Sequence, residues 1–235
     1  MRRNDSDVDV TVVRDEINIP FVETTYENDI AVIELSRFGE PTNELWDKTV
    51  NELLAKKAQG RLKGIVLDMR GNPGGYLDGA IHVATEFLPA RELIVKQEYA
   101  DREPEKYFAK RDGKLQNIPM VILLNQGSAS ASEIVAGALR DHKKAKIVGE
   151  NSFGKGTVQQ ALDLKDNAGI HVTISKWILP GGSWIQETGI KPDVEVKLDI
   201  KDGNTMRRED DAQLDKAIEL LKSSVSNALY APVYL

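Results

Sequence analysis

The chain has no cysteine and only three histidines among 235 residues. The first absence excludes a disulfide scaffold, a cysteine-ligated zinc site, an iron–sulfur cluster and a thiol nucleophile. The second leaves little material for a histidine metal site or a histidine-based triad. His82 lies in a helical stretch, His142 at a charged helix end and His171 in a strand-like stretch. Aromatic residues are sparse, at 6%. No run approaches the ~20 apolar residues of a membrane-spanning helix. Positive charge is in deficit as well. A net charge of −6 argues against a nucleic-acid partner, whose phosphates reward a basic face.

Hydrophobic residues make up 41% and charged residues 29%, a globular composition able to bury a core. The start, Met1-Arg2-Arg3-Asn4-Asp5-Ser6-Asp7, has a trimmed or linker-like character and no targeting pattern. Apolar–polar alternation predicts strands over Val8–Val12, Ile17–Val22 and Asp29–Leu35. Pro41 and Thr42 open a helix with Trp46, Val50, Leu53 and Leu54 on one side. Gly64–Met69 and Met120–Leu124 are continuous apolar runs, typical of strands buried on both faces. Each runs into a turn rich in small residues and then a helical pattern. Residues 96–117 are charged and suggest an exposed hairpin. Further strands follow at Thr157–Leu162 and Ile170–Leu179, and a helix at Asp211–Lys222. The alternation of buried strand and helix gives the α/β class.

Ser130 follows a buried strand and opens a helix, a context that exposes a hydroxyl near a helix N-terminus. The same letters, Ser130-Ala131-Ser132-Glu133, also spell a capping box, a purely structural role. A nucleophilic serine needs a base, and the histidines stand in poor contexts for that. A lysine serves only when neutral, which takes enough burial to lower its pKa from ~10.4 by several units. Most lysines here lie in solvated runs such as Lys143-Lys144. Lys155 is isolated between Gly154 and Gly156, with Phe153 and Val158 nearby. A glycine-flanked lysine also suits phosphate binding, but the full phosphate-loop spacing is absent. Gly71-Asn72-Pro73-Gly74-Gly75 is either an ordinary tight turn or a source of free N–H groups for an anion. With Ala131 N–H it makes a candidate oxyanion hole.

Taken together the motifs resemble a known family. Leu67-Asp68-Met69-Arg70-Gly71-Asn72-Pro73-Gly74-Gly75 resembles the L-D-x-R-x-N-P-G-G signature of C-terminal processing (tail-specific) serine endopeptidases. Gly127–Glu133 looks like that family's nucleophile segment and Gly149–Gln159 its lysine segment. Pro180–Gln186 and Gly189–Asp193 match as well, and the similarity runs from about residue 8 to about 222. The resemblance implies Ser130 as nucleophile, Lys155 as general base and Gln159 as the residue that orients the lysine, with Thr157 a weaker candidate. It implies an oxyanion hole from Ala131 N–H and a glycine N–H of Gly74 or Gly75. The implied fold is a ClpP/crotonase-like spiral of ββα units with an additional β-rich subdomain. No metal or organic cofactor is implied. The implied partners are polypeptide substrates with exposed C-termini, with room for a homo-oligomer and a regulatory partner protein. The implied location is extracytoplasmic: periplasm, cell envelope or lumen.

Members of this family usually carry a PDZ domain, and no stretch here fits one. Residues 1–17 resemble the exit strand of a missing PDZ domain, residues 18–222 the catalytic core, and residues 223–235 a C-terminal tail. Two rival readings keep the fold and change the function. One is a catalytically silent peptide-binding or scaffold domain, inactive without its PDZ domain. The other is an acyl-CoA enzyme of the crotonase type, against which the negative charge and the serine and lysine motifs count.

Overall fold

The computed structural model describes residues 2–3, 6–7, 19–165, 168–198 and 208–229. Strands β1 (Arg2–Arg3) and β2 (Ser6–Asp7) form a short antiparallel pair. The strand expected over Val8–Val12 lies outside the described residues, as does most of the exit-strand segment. Of the strand expected over Ile17–Val22, residues 17–18 are also outside, and Ile19 and Pro20 belong to no strand. Pairing starts instead at Val22. β3 (Val22–Glu27) and β4 (Ile30–Leu35) form an antiparallel hairpin. Its turn, Asn28-Asp29, has positive φ at both residues, +49° and +66°, the geometry that suits the twist of a two-residue hairpin.

The chain continues through α1 (Thr42–Ala58), β5 (Gly64–Asp68), α2 (Leu77–Thr85), β6 (Leu93–Tyr99), β7 (Glu105–Phe108), β8 (Met120–Leu124) and α3 (Ala131–Asp141). Then come β9 (Ala145–Gly149), β10 (Thr157–Asp163), β11 (Gly169–Ile178), β12 (Val194–Glu195) and α4 (Ala212–Leu229). α4 runs past Lys222, so the first part of the expected tail is helical. Residues 230–235 are outside the described set.

The main sheet has the order β12-β9-β8-β5-β4-β3, parallel except for β3. Alternation along its strands sends side chains to two cores, as a sheet covered on both faces requires. Ile33, Ile65, Leu67, Ile122 and Ile147 pack toward the helices α1, α2 and α3. Val32, Val66, Val121, Leu123 and Val148 pack on the other face, against Leu214, Ala217, Ile218 and Leu221 of α4. The long apolar runs in the sequence are long because both sides of them are buried.

A second, antiparallel sheet has the order β10-β11-β6-β7. The molecule is therefore α/β with an additional β-rich part. The charged stretch 96–117 forms a hairpin, but it is anchored as well as exposed. Ala109 and Leu115 are buried. The fully buried Glu86 carboxylate accepts from the Arg111 guanidinium and from Lys114 N–H. Charge runs hide such anchors because the paired residues are distant in sequence. Among the described residues no helix is long and apolar enough to cross a membrane.

Candidate active site

Three loops leave the C-terminal ends of the neighbouring parallel strands β5, β8 and β9, the edge where open α/β sheets place their ligands. The first carries Gly71–Gly75, the second Ser130 and the third Lys155. Buried polar groups join them, because loop backbone drawn into the fold must still satisfy its hydrogen bonds.

Asn72 is the hub of the first loop. It is fully buried, and its side-chain amide donates to Leu35 O at 2.6 Å. Its Oδ1 accepts Gly74 N–H at 2.8 Å. Its backbone carbonyl accepts Ala129 N–H and the Ser132 hydroxyl, both at 3.0 Å. Ser128 Oγ donates to Met69 O at 2.8 Å. Ser128 and Ser132 are thus fully buried and committed to structure, whereas Ser130 between them is only partly buried.

Ser130 sits at φ +54°, ψ −113°, outside the regions that L-residues ordinarily occupy. This is a sharp strand-to-helix turn at the N-terminus of α3. The glycine loop comes close to it. A Cβ at Gly74 would lie 2.7 Å from Ala129 O, 2.8 Å from Ser130 Cβ and 2.9 Å from Ala131 N. Gly74 also has φ +96°, which a side chain would strain. Only glycine permits this approach. Its amide is engaged by Asn72, so Gly74 is not a free donor toward Ser130. Among the described residues no hydrogen bond engages Gly75 N–H or Ala131 N–H.

Glu133 does more than the capping box asks of it. Its Oε2 accepts Ser130 N–H at 2.8 Å and Lys155 N–H at 2.9 Å. Its Oε1 accepts the Ser152 hydroxyl at 2.5 Å and Gly154 N–H at 2.7 Å. The carboxylate is fully buried and stands in the first turn of α3, where the helix dipole favours negative charge. One oxygen thereby holds the backbone nitrogens of Ser130 and Lys155 within two hydrogen-bond lengths of each other. Phe153 N–H, donating to Ser128 O at 2.9 Å, adds a second link between the loops. The capping box was legible in sequence, but its reach to residues 152–155 was not.

The lysine loop rests on the segment after β11. Trp184 Nε1 donates to Gly156 O at 2.9 Å, Gly156 N–H donates to Gln186 Oε1 at 3.0 Å, and Ile190 N–H donates to Ser152 Oγ at 2.6 Å. The Lys155 side chain itself is exposed, and among the described residues no ion pair engages it. Among the described residues no hydrogen bond joins Gln159 to it. A β-bulge between Val158 and Gln159 shifts the register, so that Thr157 opposes Lys176 but Gln159 opposes Thr173. The extra residue is Ile174 of β11, so Gln159 keeps the same face of β10 as Thr157, and it is exposed. The histidines are occupied elsewhere. His142 Nε2 lies 2.7 Å from Leu93 O and His82 Nε2 lies 2.8 Å from Asp47 Oδ1, while His171 stands on the exposed part of β11.

Arg70, just before the glycine loop, fastens that loop to α4. It bridges Asp68 at 2.5 Å and Asp211 at 2.8 Å, and its Nη1 donates to Gln213 Oε1 at 3.1 Å. Burial opposes its charge, but the hydrogen bonds of the two carboxylates outweigh that and raise its pKa further. Among the described residues no cluster of histidine, aspartate and glutamate is suited to a metal ion.

The chain matches the model of Peptidase family S41 over residues 29–196. It is 34% identical over 260 residues to a carboxy-terminal-processing protease of Bartonella bacilliformis, covering 97% of this chain and 60% of that protein. It is 37% identical over 195 residues to the carboxy-terminal processing protease CtpA of Bacillus subtilis, covering 81% of this chain and 40% of that one. The solved structure of a photosystem II D1 C-terminal processing protease superposes with a TM-score of 0.69 at 30% identity, over 78% of this chain and 50% of that one. The chain thus spans about 40–60% of the length of these curated relatives.

Proposed function

The chain belongs to peptidase family S41, and on that premise we propose that it is a serine endopeptidase acting on polypeptides near their C-termini. Ser130 is the nucleophile and Lys155 the base. The observation that carries this reading is the Glu133 carboxylate, which binds the backbone of both residues through a single oxygen. The carboxylate that caps α3 also fixes the serine loop and the lysine loop against each other, which supports the pairing.

The chemistry then runs through an acyl-enzyme. Neutral Lys155 takes the proton of Ser130 Oγ as that oxygen adds to the scissile carbonyl carbon. The oxyanion that forms is held by Ala131 N–H, at the positive end of α3, and by Gly75 N–H. Gly75 takes this role because Gly74 N–H is already donated to Asn72. Protonated Lys155 next gives its proton to the leaving amine, and the C–N bond breaks. Water, deprotonated by Lys155, attacks the ester, releases the carboxylate and restores Ser130. Substrate lying over the exposed Lys155 supplies the desolvation that favours its neutral form. Gln159, on the adjoining strand, is the residue that orients the lysine once substrate is in place.

Ser130→Ala and Lys155→Ala are each expected to lower cleavage of an unfolded protein by at least ~10³-fold, since nucleophile and base act as a unit. Wild-type rates in either variant overturn the reading. Gln replacements of His82, His142 and His171 are expected to keep activity. Loss in His142→Gln with the fold intact assigns the base to histidine instead.

A further inference from the structure

β10 is an edge strand without the protection that edge strands ordinarily carry. Natural sheets blunt their open edges with charges or proline to prevent unwanted pairing. The other edges follow that rule: β3 carries Glu23 and Glu27, β7 carries Glu105 and Lys106, and β12 is only two residues long. From Thr157 to Leu162, β10 has neither charge nor proline, and its neighbour β11 has no charge from Gly169 to Ser175. This occurs in a chain with 29% charged residues.

The hairpin also presents an apolar face. Leu162 opposes Ile170 and Gln160 opposes Val172, so these side chains share one side, and Ile174 is the unpaired residue at the β11 bulge beside them. Leu162, Ile170, Val172 and Ile174 are all exposed. At the other end of β11, Lys176 pairs with Thr157, and its Nζ lies 5.2 Å from the Trp184 ring. Trp184 is itself exposed and donates to the carbonyl of Gly156, the residue after Lys155. An uncharged strand edge therefore runs from Thr157, two residues after Lys155, to the hairpin tip, where the apolar side chains are exposed.

We infer that β10 and this face bind the substrate as an added β-strand: an extended, apolar-rich segment of unfolded polypeptide. The inference rests on the peptidase reading and names how its substrate is held. Main-chain pairing gives affinity that any sequence can supply, and the apolar face favours chains whose hydrophobic residues are not buried in a fold. The seven residues of β10 offer a track of roughly 20 Å. Continuity with Lys155 favours substrate over a second copy of the chain.

The test uses Ser130→Ala, so that binding is read without turnover, and reduced, carbamidomethylated α-lactalbumin as the unfolded probe. The added changes Leu162→Thr, Ile170→Thr, Val172→Thr and Ile174→Thr keep strand propensity and remove apolar surface. Their expected effect is at least a tenfold rise in Kd by fluorescence anisotropy, with the circular dichroism spectrum unchanged. Amide hydrogen exchange in residues 157–163 is expected to slow when the probe is bound. An unchanged Kd, or exchange there that does not respond to the probe, overturns the inference. Protection of 157–163 in the free protein together with a doubled mass in solution also overturns it, because a second copy then holds the edge. The peptidase reading fails separately, if wild-type protein cleaves no unfolded chain while the probe still binds.

Discussion

Glu133 Oε2 accepts the Lys155 backbone N–H at 2.9 Å, across 22 positions of sequence. The same oxygen takes Ser130 N–H, so the geometry of the proposed dyad depends on a residue that takes no part in the chemistry. Glu133 is a positioning residue, and each of its partners is a donor.

Glu133→Gln tests that role. An amide replaces one acceptor oxygen with a donor, which then faces donors. Each unsatisfied buried group costs ~1–3 kcal/mol, and each kcal/mol lowers the Tm of a chain this size by ~2–4 °C. The expected result is a Tm lower by several degrees and a kcat lower by at least tenfold, with KM changed much less. A Tm loss with unchanged kcat reduces Glu133 to a purely structural residue.

The close approach of the glycine loop can be separated from its backbone strain by two substitutions. Gly74 has φ +96° and would collide with Ala129, Ser130 and Ala131, whereas Gly71 has φ +67° and open space around it. Both alanine variants pay a strain of roughly 1–3 kcal/mol. Only Gly74→Ala should displace the Ser130 turn, with ~10²-fold less activity expected from a shift on the scale of 1 Å. Equal loss in Gly71→Ala excludes the close approach as the cause.

The pairing of Arg70 with Asp211 makes the docking of α4 sensitive to acid. Burial raises the Asp211 carboxyl, but hydrogen bonds from Arg70 outweigh it and hold the pKa below its ordinary value. A carboxyl lowered in the fold stabilises fully above its unfolded pKa of ~3.9, and loses that contribution as pH falls through the lower folded value. Asp211→Asn is expected to cost roughly 1–3 kcal/mol at pH 7. The Tm gap to the wild type should narrow as pH drops below about 4. A gap that holds constant into that range excludes this pair as its source.

The sequence by itself determined much of this protein. Ser130 and Lys155 stood out by context, because a serine after a buried strand and a lysine between glycines are local patterns. The α/β class followed from the apolar runs of β5 and β8. Other strands shifted: the Asn28-Asp29 turn ends β3 where alternation had placed the strand earlier. The tertiary structure alone decided which groups meet. Arg70 finds Asp211 across 141 positions, Asn72 binds the backbone beside Ser130, and Glu133 reaches from its cap to Lys155. It also decided that Gly74 N–H is engaged and that a bulge in β11 sets Gln159 opposite Thr173. The physical reason is range. Periodicity and capping act over three or four residues, and their signals survive in any short window. A buried polar group is satisfied by whichever distant donor or acceptor the packed sheet brings to it.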